Sequence, residues 1–356
     1  MSRLRRILSR PRSAAIALAA MLAILAPAQA GVVARRSSAA APVPPAGAAA
    51  PQLERRSDLL ALQPEPEPTR AARAERRSSP KPKVKPKPKP PTPDVRPFKG
   101  HGAWIDLWDY AALDIGDTIT LLKRNHVRTI YLQTGRFNTK KTVDPAVGPW
   151  LEAGHRAGMD VVAWYLPGYS DMKLERRRSM AMATYRYRGH AFDAIGIDIE
   201  WKNDVPNPEW NERVVENLRQ VRRALDDRIA LAAIVPPPLQ MDVAPRRWKG
   251  FPWKGIGAHS DVIMLMSYWS YRDCDDIPDH CAYPFTVLNL RETRRLTGND
   301  RIPIHTIGGV GDRITRAEVK EFVRGARDGE AYGASMYDVR TTAAGFWPLL
   351  ARLRTL

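Results

Sequence analysis

From Gly102 onward, short β-rich runs alternate with longer amphipathic stretches, and this alternation constrains the fold of the 356-residue chain more than any other feature. The runs are 103–109, 129–133, 160–166, 194–200, 229–235, 262–268, 302–307 and 333–337. Strand-then-helix repetition calls for a parallel sheet whose crossovers are helices. Eight such units in this length favour a closed (β/α)8, or TIM, barrel over an open sheet. Several helices announce their starts. Asn207-Pro208 stands before an apolar stripe of Val214, Val215, Leu218, Val221 and Leu225, and Thr315-Arg-Ala-Glu318 reads as a capping box. Between the fifth and sixth runs, Pro236-Pro-Pro238 and the 248–253 segment predict an elaborated loop in place of a plain helix.

The chain ahead of the barrel is different in kind. Residues 1–30 carry five arginines before Ser13, an apolar run from Ala14 to Leu25, and Ala28-Gln29-Ala30, the pattern of an export signal cut after Ala30. That run is too short to span a bilayer comfortably and has no counterpart later, so no transmembrane segment is expected in the mature chain. Residues 31–96 hold no aromatic residue to seed a core and are expected to be disordered. Alternating lysine and proline in 81–91 predicts an extended polyproline spacer, whose charge also suits association with anionic envelope polymers. The expected organisation is therefore a signal peptide at 1–30, a linker at 31–96 and a barrel at 97–356, in an exported bacterial protein that is secreted or held at the cell envelope.

Of the net charge of +18, residues 1–96 contribute +13, with 19 Lys and Arg against 6 Asp and Glu. The remaining +5 is spread over the barrel without an interleaved basic and aromatic stripe, which argues against nucleic acid as a partner. Cys274 and Cys281 are the only cysteines, and in an oxidising compartment a disulfide closing that short loop is expected. No further ligands accompany them at zinc spacing, and the seven histidines are scattered, so neither a metal nor an organic cofactor is implied.

In such barrels chemistry sits where strands end. Here those positions are polar and aromatic: Asp106, Trp108 and Asp109; Gln133 and Arg136; Trp164 and Tyr165; Asp198, Glu200 and Trp201; Tyr268 and Trp269; His305; Tyr337 and Asp338. Within 192–201, period two places Gly196, Asp198 and Glu200 on the face opposite Ile195, Ile197 and Ile199, so the acids point into the barrel. Two inward carboxylates repel, which raises the proton affinity of one. A carboxylic acid kept protonated near neutrality is what a glycosidase uses on its leaving oxygen. The plainer reading has the same acids paired with Arg136, Lys202 or Arg340 as ties between strands. Trp108, Trp164, Trp201 and Trp269 at strand ends suit stacking on sugar rings, with His305 a substrate contact or a hydrogen-bonded structural residue. The glycine-rich 308–311 segment has neither phosphate-loop nor dinucleotide spacing and reads as a turn.

The run Asp193 to Glu200 resembles the strand-four signature of family 18 glycoside hydrolases, the chitinases, and 262–269 resembles that family's strand-six segment. The resemblance implies Glu200 as proton donor, Asp198 orienting a substrate acetamido group and Tyr268 bonding to it. Gly196 stands where that family has its middle acid, and Trp269 where it has another acid. Across nearly all of residues 100–340, the segments 102–110, 129–133, 198–201, 266–269, 305–309 and 335–338 resemble a family of exported bacterial (β/α)8 barrels known only as glycoside-hydrolase-like. A second arrangement pairs Glu200 with Asp106 or Asp338 as nucleophile or base, and the Asp106 version is similar to family 25 lysozymes. The expectation is a glycoside hydrolase acting on an envelope or environmental polysaccharide. Its rival is a non-catalytic carbohydrate-binding barrel. A metal-dependent deacetylase or an esterase is disfavoured, because no paired histidines stand at ligand spacing from the acids and no Gly-x-Ser-x-Gly elbow is present.

Overall fold

The computed structural model describes residues 92–201, 205–243, 248, 250–271 and 281–356. The expected export signal, nearly all of the linker, Lys202 and Cys274 lie outside these residues, and so therefore does the proposed Cys274–Cys281 bridge. Cys281 itself is buried at the entrance to a helix. Among the described residues no helix is long and apolar enough to cross a membrane.

Eight parallel strands close in sequential order: β1 Gly100–Ile105, β2 Thr129–Arg136, β3 Asp160–Leu166, β4 Ala194–Asp198, β5 Leu231–Val235, β6 Val262–Met266, β7 Ile304–Gly309 and β8 Gly333–Tyr337. Around them run α1 Ile115–Arg124, α2 Val147–Arg156, α3 Met172–Thr184 and α4 Asn207–Ala224, followed after β6 by α7 Ala282–Thr297, α8 Arg316–Asp328 and α9 Trp347–Leu350. Between β5 and β6 the described residues include the short helices α5 Pro238–Val243 and α6 Trp253–His259, with Pro238 opening the first and Pro252 capping the second. The folded part begins ahead of Pro97. Asp94 pairs with Ile229 beside β5, and Phe98 is fully buried under the barrel.

Strand alternation sorts the core into two layers. Ile130, Leu132, Ile195, Ile197, Ile263 and Leu265 pack outward among the helices. Inside, Trp104 lies 4.6 Å from the ring of Tyr131 and 5.5 Å from that of Trp164, centre to centre. Its Nε1 donates to Ser335 Oγ at 2.8 Å, and the same hydroxyl lies 2.8 Å from His305 Nε2. Large rings fit because a neighbour is small: a Cβ on Gly102 would stand 2.4 Å from the Tyr131 ring.

The Thr315 capping box forms, with the hydroxyl accepting from Glu318 N–H and the Glu318 carboxylate accepting from Thr315 N–H at 2.7 Å. Thr315→Ala is expected to cost about 1 kcal/mol, read as a lowered denaturant midpoint with unchanged slope.

Candidate active site

The acids expected at the strand ends gather at the C-terminal mouth. Asp198 closes β4, and Glu200 follows two residues later. Asp106 and Asp338 immediately follow β1 and β8, which are hydrogen-bonded neighbours on the far side of the barrel from β4. Ile197 and Ile199 are buried in the helix layer, so Asp198 and Glu200 take the inner side, as strand parity requires.

Asp198 is 5 % exposed, and its Oδ1 has no hydrogen-bond partner among the described residues. Burial, reinforced by neighbouring Glu200, drives its proton affinity well above that of an ordinary aspartate. Glu200 is half-buried. Burial raises its pKa to about 7, against an opposing pull from the Arg136 guanidinium at the end of β2. Arg136 in turn lies over two rings, with its guanidinium carbon 5.3 Å from the centre of Trp108 and 5.2 Å from that of Phe137.

On the opposite wall the loop after β1 folds back on itself. Asp106 Oδ1 accepts from Trp108 N–H at 2.8 Å, and Asp109 Oδ2 accepts from Asp106 N–H at 3.1 Å. Gln133 holds this loop by accepting Leu107 N–H at 3.2 Å. Tyr337, at the end of β8, donates its phenol to Asp106 Oδ2 at 3.2 Å, and Asp338 Oδ1 accepts from Thr341 N–H at 2.8 Å. The Tyr337 ring lies 6.0 Å from that of Tyr268, which reaches in from the end of β6. Arg340 Nε stands 3.1 Å from Asp109 Oδ1.

Asp106, Asp109 and Asp338 each bring an oxygen within 4.8 Å of the others, close enough to share one metal ion. Asp109 Oδ1 faces the Arg340 guanidinium, Asp106 Oδ2 accepts from a phenol, Asp338 Oδ1 accepts from a backbone N–H, and burial favours protons on all three acids. Asp109 is pushed up to about 8 and Asp106 to about 6, first by burial and then by neighbouring carboxylates. Burial raises Asp338 as well.

The Asp109 shift has a consequence for stability. A carboxyl that keeps its proton in the folded chain up to about pH 8, but loses it near pH 4 when unfolded, makes folding less favourable as pH climbs between those limits. Unfolding midpoints in urea are therefore expected to fall as pH rises from about 4 to about 8, and Asp109→Asn is expected to flatten that fall. An equal fall in the variant would show that Asp109 ionises at no cost to folding.

Three expected site residues lie elsewhere. Tyr165 shares the outward parity of Val161 and Ala163. It packs in the helix layer, donates its phenol to Glu175, and accepts from Arg178 Nη1 at 2.9 Å. Trp269 is also outward: it is 1 % exposed, packs on Phe322 of α8, and donates Nε1 to Glu318 at 3.1 Å. His305 is near the floor rather than the mouth, because β7 runs on to Gly309. Its Nδ1 lies 2.9 Å from the carbonyl of Phe98.

Among the other tryptophans, Trp164 is an inner wall residue at 4 % exposure, while Trp108 and Trp201 remain half-open at the mouth. Trp201 stacks on Phe137, with ring centres 4.5 Å apart and planes 18° apart. Phe137 is held from behind, since its carbonyl accepts from Arg178 Nη1 at 2.9 Å. The sequence reading passed over Phe137, and it left Asp109 among the strand ends without a role. The Asp106-x-x-Asp109 spacing was the available sign of the second, because a short acid three residues on can cap the turn that it closes.

The sequence matches no family model and no curated protein. In fold, the chain is similar to a class V chitinase from Pseudomonas fluorescens, at TM-score 0.54 and 12 % identity over 71 % of this chain and 99 % of that one. It is similar to a GH18 chitinase from Cycas revoluta solved with (GlcNAc)3, at 0.54 and 12 % over 71 % and 98 % of the two chains. The spore cortex-lytic enzyme SleL of Bacillus cereus aligns at 0.54 and 10 %, over 72 % of this chain and 74 % of its own. At such identities the likeness is one of fold, and it agrees with the (β/α)8 barrel expected from the strand motifs.

Proposed function

We propose that this protein is a glycoside hydrolase that cleaves a polysaccharide at the barrel mouth, with Glu200 as general acid and Asp106 as the opposing carboxylate. The observation that carries this reading is Glu200 itself, a half-buried acid at an open strand end with its pKa raised to about 7. Its proton passes to the leaving oxygen as the bond from that oxygen to the anomeric carbon breaks. Asp106, at about 6 and steadied by Trp108 N–H and the Tyr337 phenol, is ionised at neutral pH. It either takes a proton from the water that attacks the anomeric carbon or attacks that carbon directly, and product stereochemistry distinguishes the two.

One feature favours paired carboxylates over participation by a substrate acetamido group. Position 196 carries glycine where family 18 has its middle acid, and a Cβ there would stand 3.1 Å from Ile234 and 3.6 Å from Trp164, so apolar side chains line that space. Trp108 and the Phe137–Trp201 stack offer flat surfaces for the sugar. The fold likeness to an enzyme named for spore-cortex lysis and to chitinases supports an envelope or environmental polysaccharide as substrate.

The test is to incubate the full chain with a panel of polysaccharides that includes peptidoglycan and chitin, and to follow new reducing ends. Release from one polymer supports the proposal and names the substrate class. Binding without release from any of them replaces it with a carbohydrate-binding barrel whose acids only bond to sugar hydroxyls.

A further inference from the structure

At the opposite, N-terminal end of the barrel, three side chains converge that the carboxylate chemistry does not use. His155 lies in the last turn of α2, and Asp193 immediately precedes β4. His190 leaves a tight two-residue turn: Tyr187 and His190 exchange backbone hydrogen bonds at 3.0 and 2.9 Å, with Arg188 at φ 47° and Gly189 at φ 86° between them. That is a hairpin turn with both central residues left-handed, and it fixes where the His190 ring can reach.

Asp193 Oδ2 accepts from Val161 N–H at 2.7 Å and lies 2.9 Å from His155 Nε2. An anchored carboxylate there keeps the proton of a neutral His155 on Nε2. The lone pair of Nδ1 then points away from Asp193, toward Nδ1 of His190 at 2.9 Å. Two ring nitrogens thus face one shared space, which holds either a single proton between them or one cation that accepts both lone pairs. A histidine whose far nitrogen is bonded to a carboxylate is the usual form of an imidazole metal ligand. On a tetrahedral ion with bonds of about 2.0–2.1 Å, two such nitrogens stand about 3.3 Å apart. The pair needs to open by only a few tenths of an ångström, and both rings are only partly buried.

We infer that His155 and His190 form a binding site for a divalent transition-metal ion of the zinc class, with Asp193 orienting His155 and water completing the coordination. Nitrogen donors select zinc, nickel or copper over calcium and magnesium. The ion would tie the end of α2 to the turn that leads into β4, so it acts on stability and leaves the mouth untouched.

Calorimetric titration of the full-length, chelator-treated protein with Zn2+ is expected to show one saturable ion per chain, with a rise in Tm. His190→Ala is expected to abolish both effects, and His155→Gln to do the same with less change of shape. Asp193→Asn is expected to weaken binding by about 10–100-fold. Circular dichroism of each variant separates lost binding from lost folding. No saturable binding of zinc or nickel by the parent would overturn the site. So would zinc binding that persists unchanged in both histidine variants, since the ion would then sit elsewhere, the Asp106 cluster included.

Discussion

Glu200→Gln is expected to lower turnover by about 10²–10⁴-fold while leaving affinity for the polysaccharide nearly intact, because the amide keeps the shape and hydrogen-bonding reach of the acid but has no proton to give. The sign of the pH dependence follows from the shifts. Glu200 works protonated, so activity is lost as pH rises through about 7. Asp106 works ionised, so activity is lost as pH falls through about 6. The profile of kcat/KM is therefore a narrow bell, and its limbs belong to the interacting carboxylates jointly. Arg136 is the cation that pulls Glu200 down, so Arg136→Met is expected to move the alkaline limb to higher pH. Parallel measurement of reducing ends and polymer binding for parent and Glu200→Gln checks the prediction. Equal turnover in the two would remove Glu200 from the chemistry.

The second large effect is on stability. Gly196→Asp would restore the acid that chitinases carry at this position. In this chain it inserts a Cβ 3.1 Å from Ile234 and 3.6 Å from Trp164, and with it a carboxyl that has apolar neighbours. Overpacking costs about 1–3 kcal/mol and an unsatisfied buried polar group about as much again, so the expected loss is roughly 2–6 kcal/mol. Chemical denaturation of the variant measures it. A midpoint equal to the parent's would mean that the interior beside β4 has room for the side chain, and acetamido-assisted chemistry would regain its case.

Both predictions depend on what strand periodicity makes legible. β3 and β8 run over the residues that the apolar runs marked, and the alternation through 194–200 assigns Asp198 and Glu200 to the inner face, because period two is a property of the backbone alone. The same rule, applied one residue at a time, separates Trp164 from Tyr165 and Tyr268 from Trp269. Grouping these residues by aromatic type hid that separation. His305 is the hydrogen-bonded structural residue that was one of its two expected readings, and only its placement at the mouth was wrong, for another reason. Its run continues through Thr306-Ile-Gly-Gly309, and glycines look like the end of a strand until pairing with β8 shows that they are part of it.

What the sequence by itself determined is the barrel, the order of its strands and the presence of acids at the ends of β1, β4 and β8, since each follows from local spacing. Only the tertiary structure decided which groups meet. Tyr337 bonds to Asp106 across 231 positions of chain, and Arg340 pairs with Asp109. Contacts of that kind arise when the sheet closes and brings its first strand against its last. No local pattern in the chain encodes the distance between two side chains that closure alone makes neighbours.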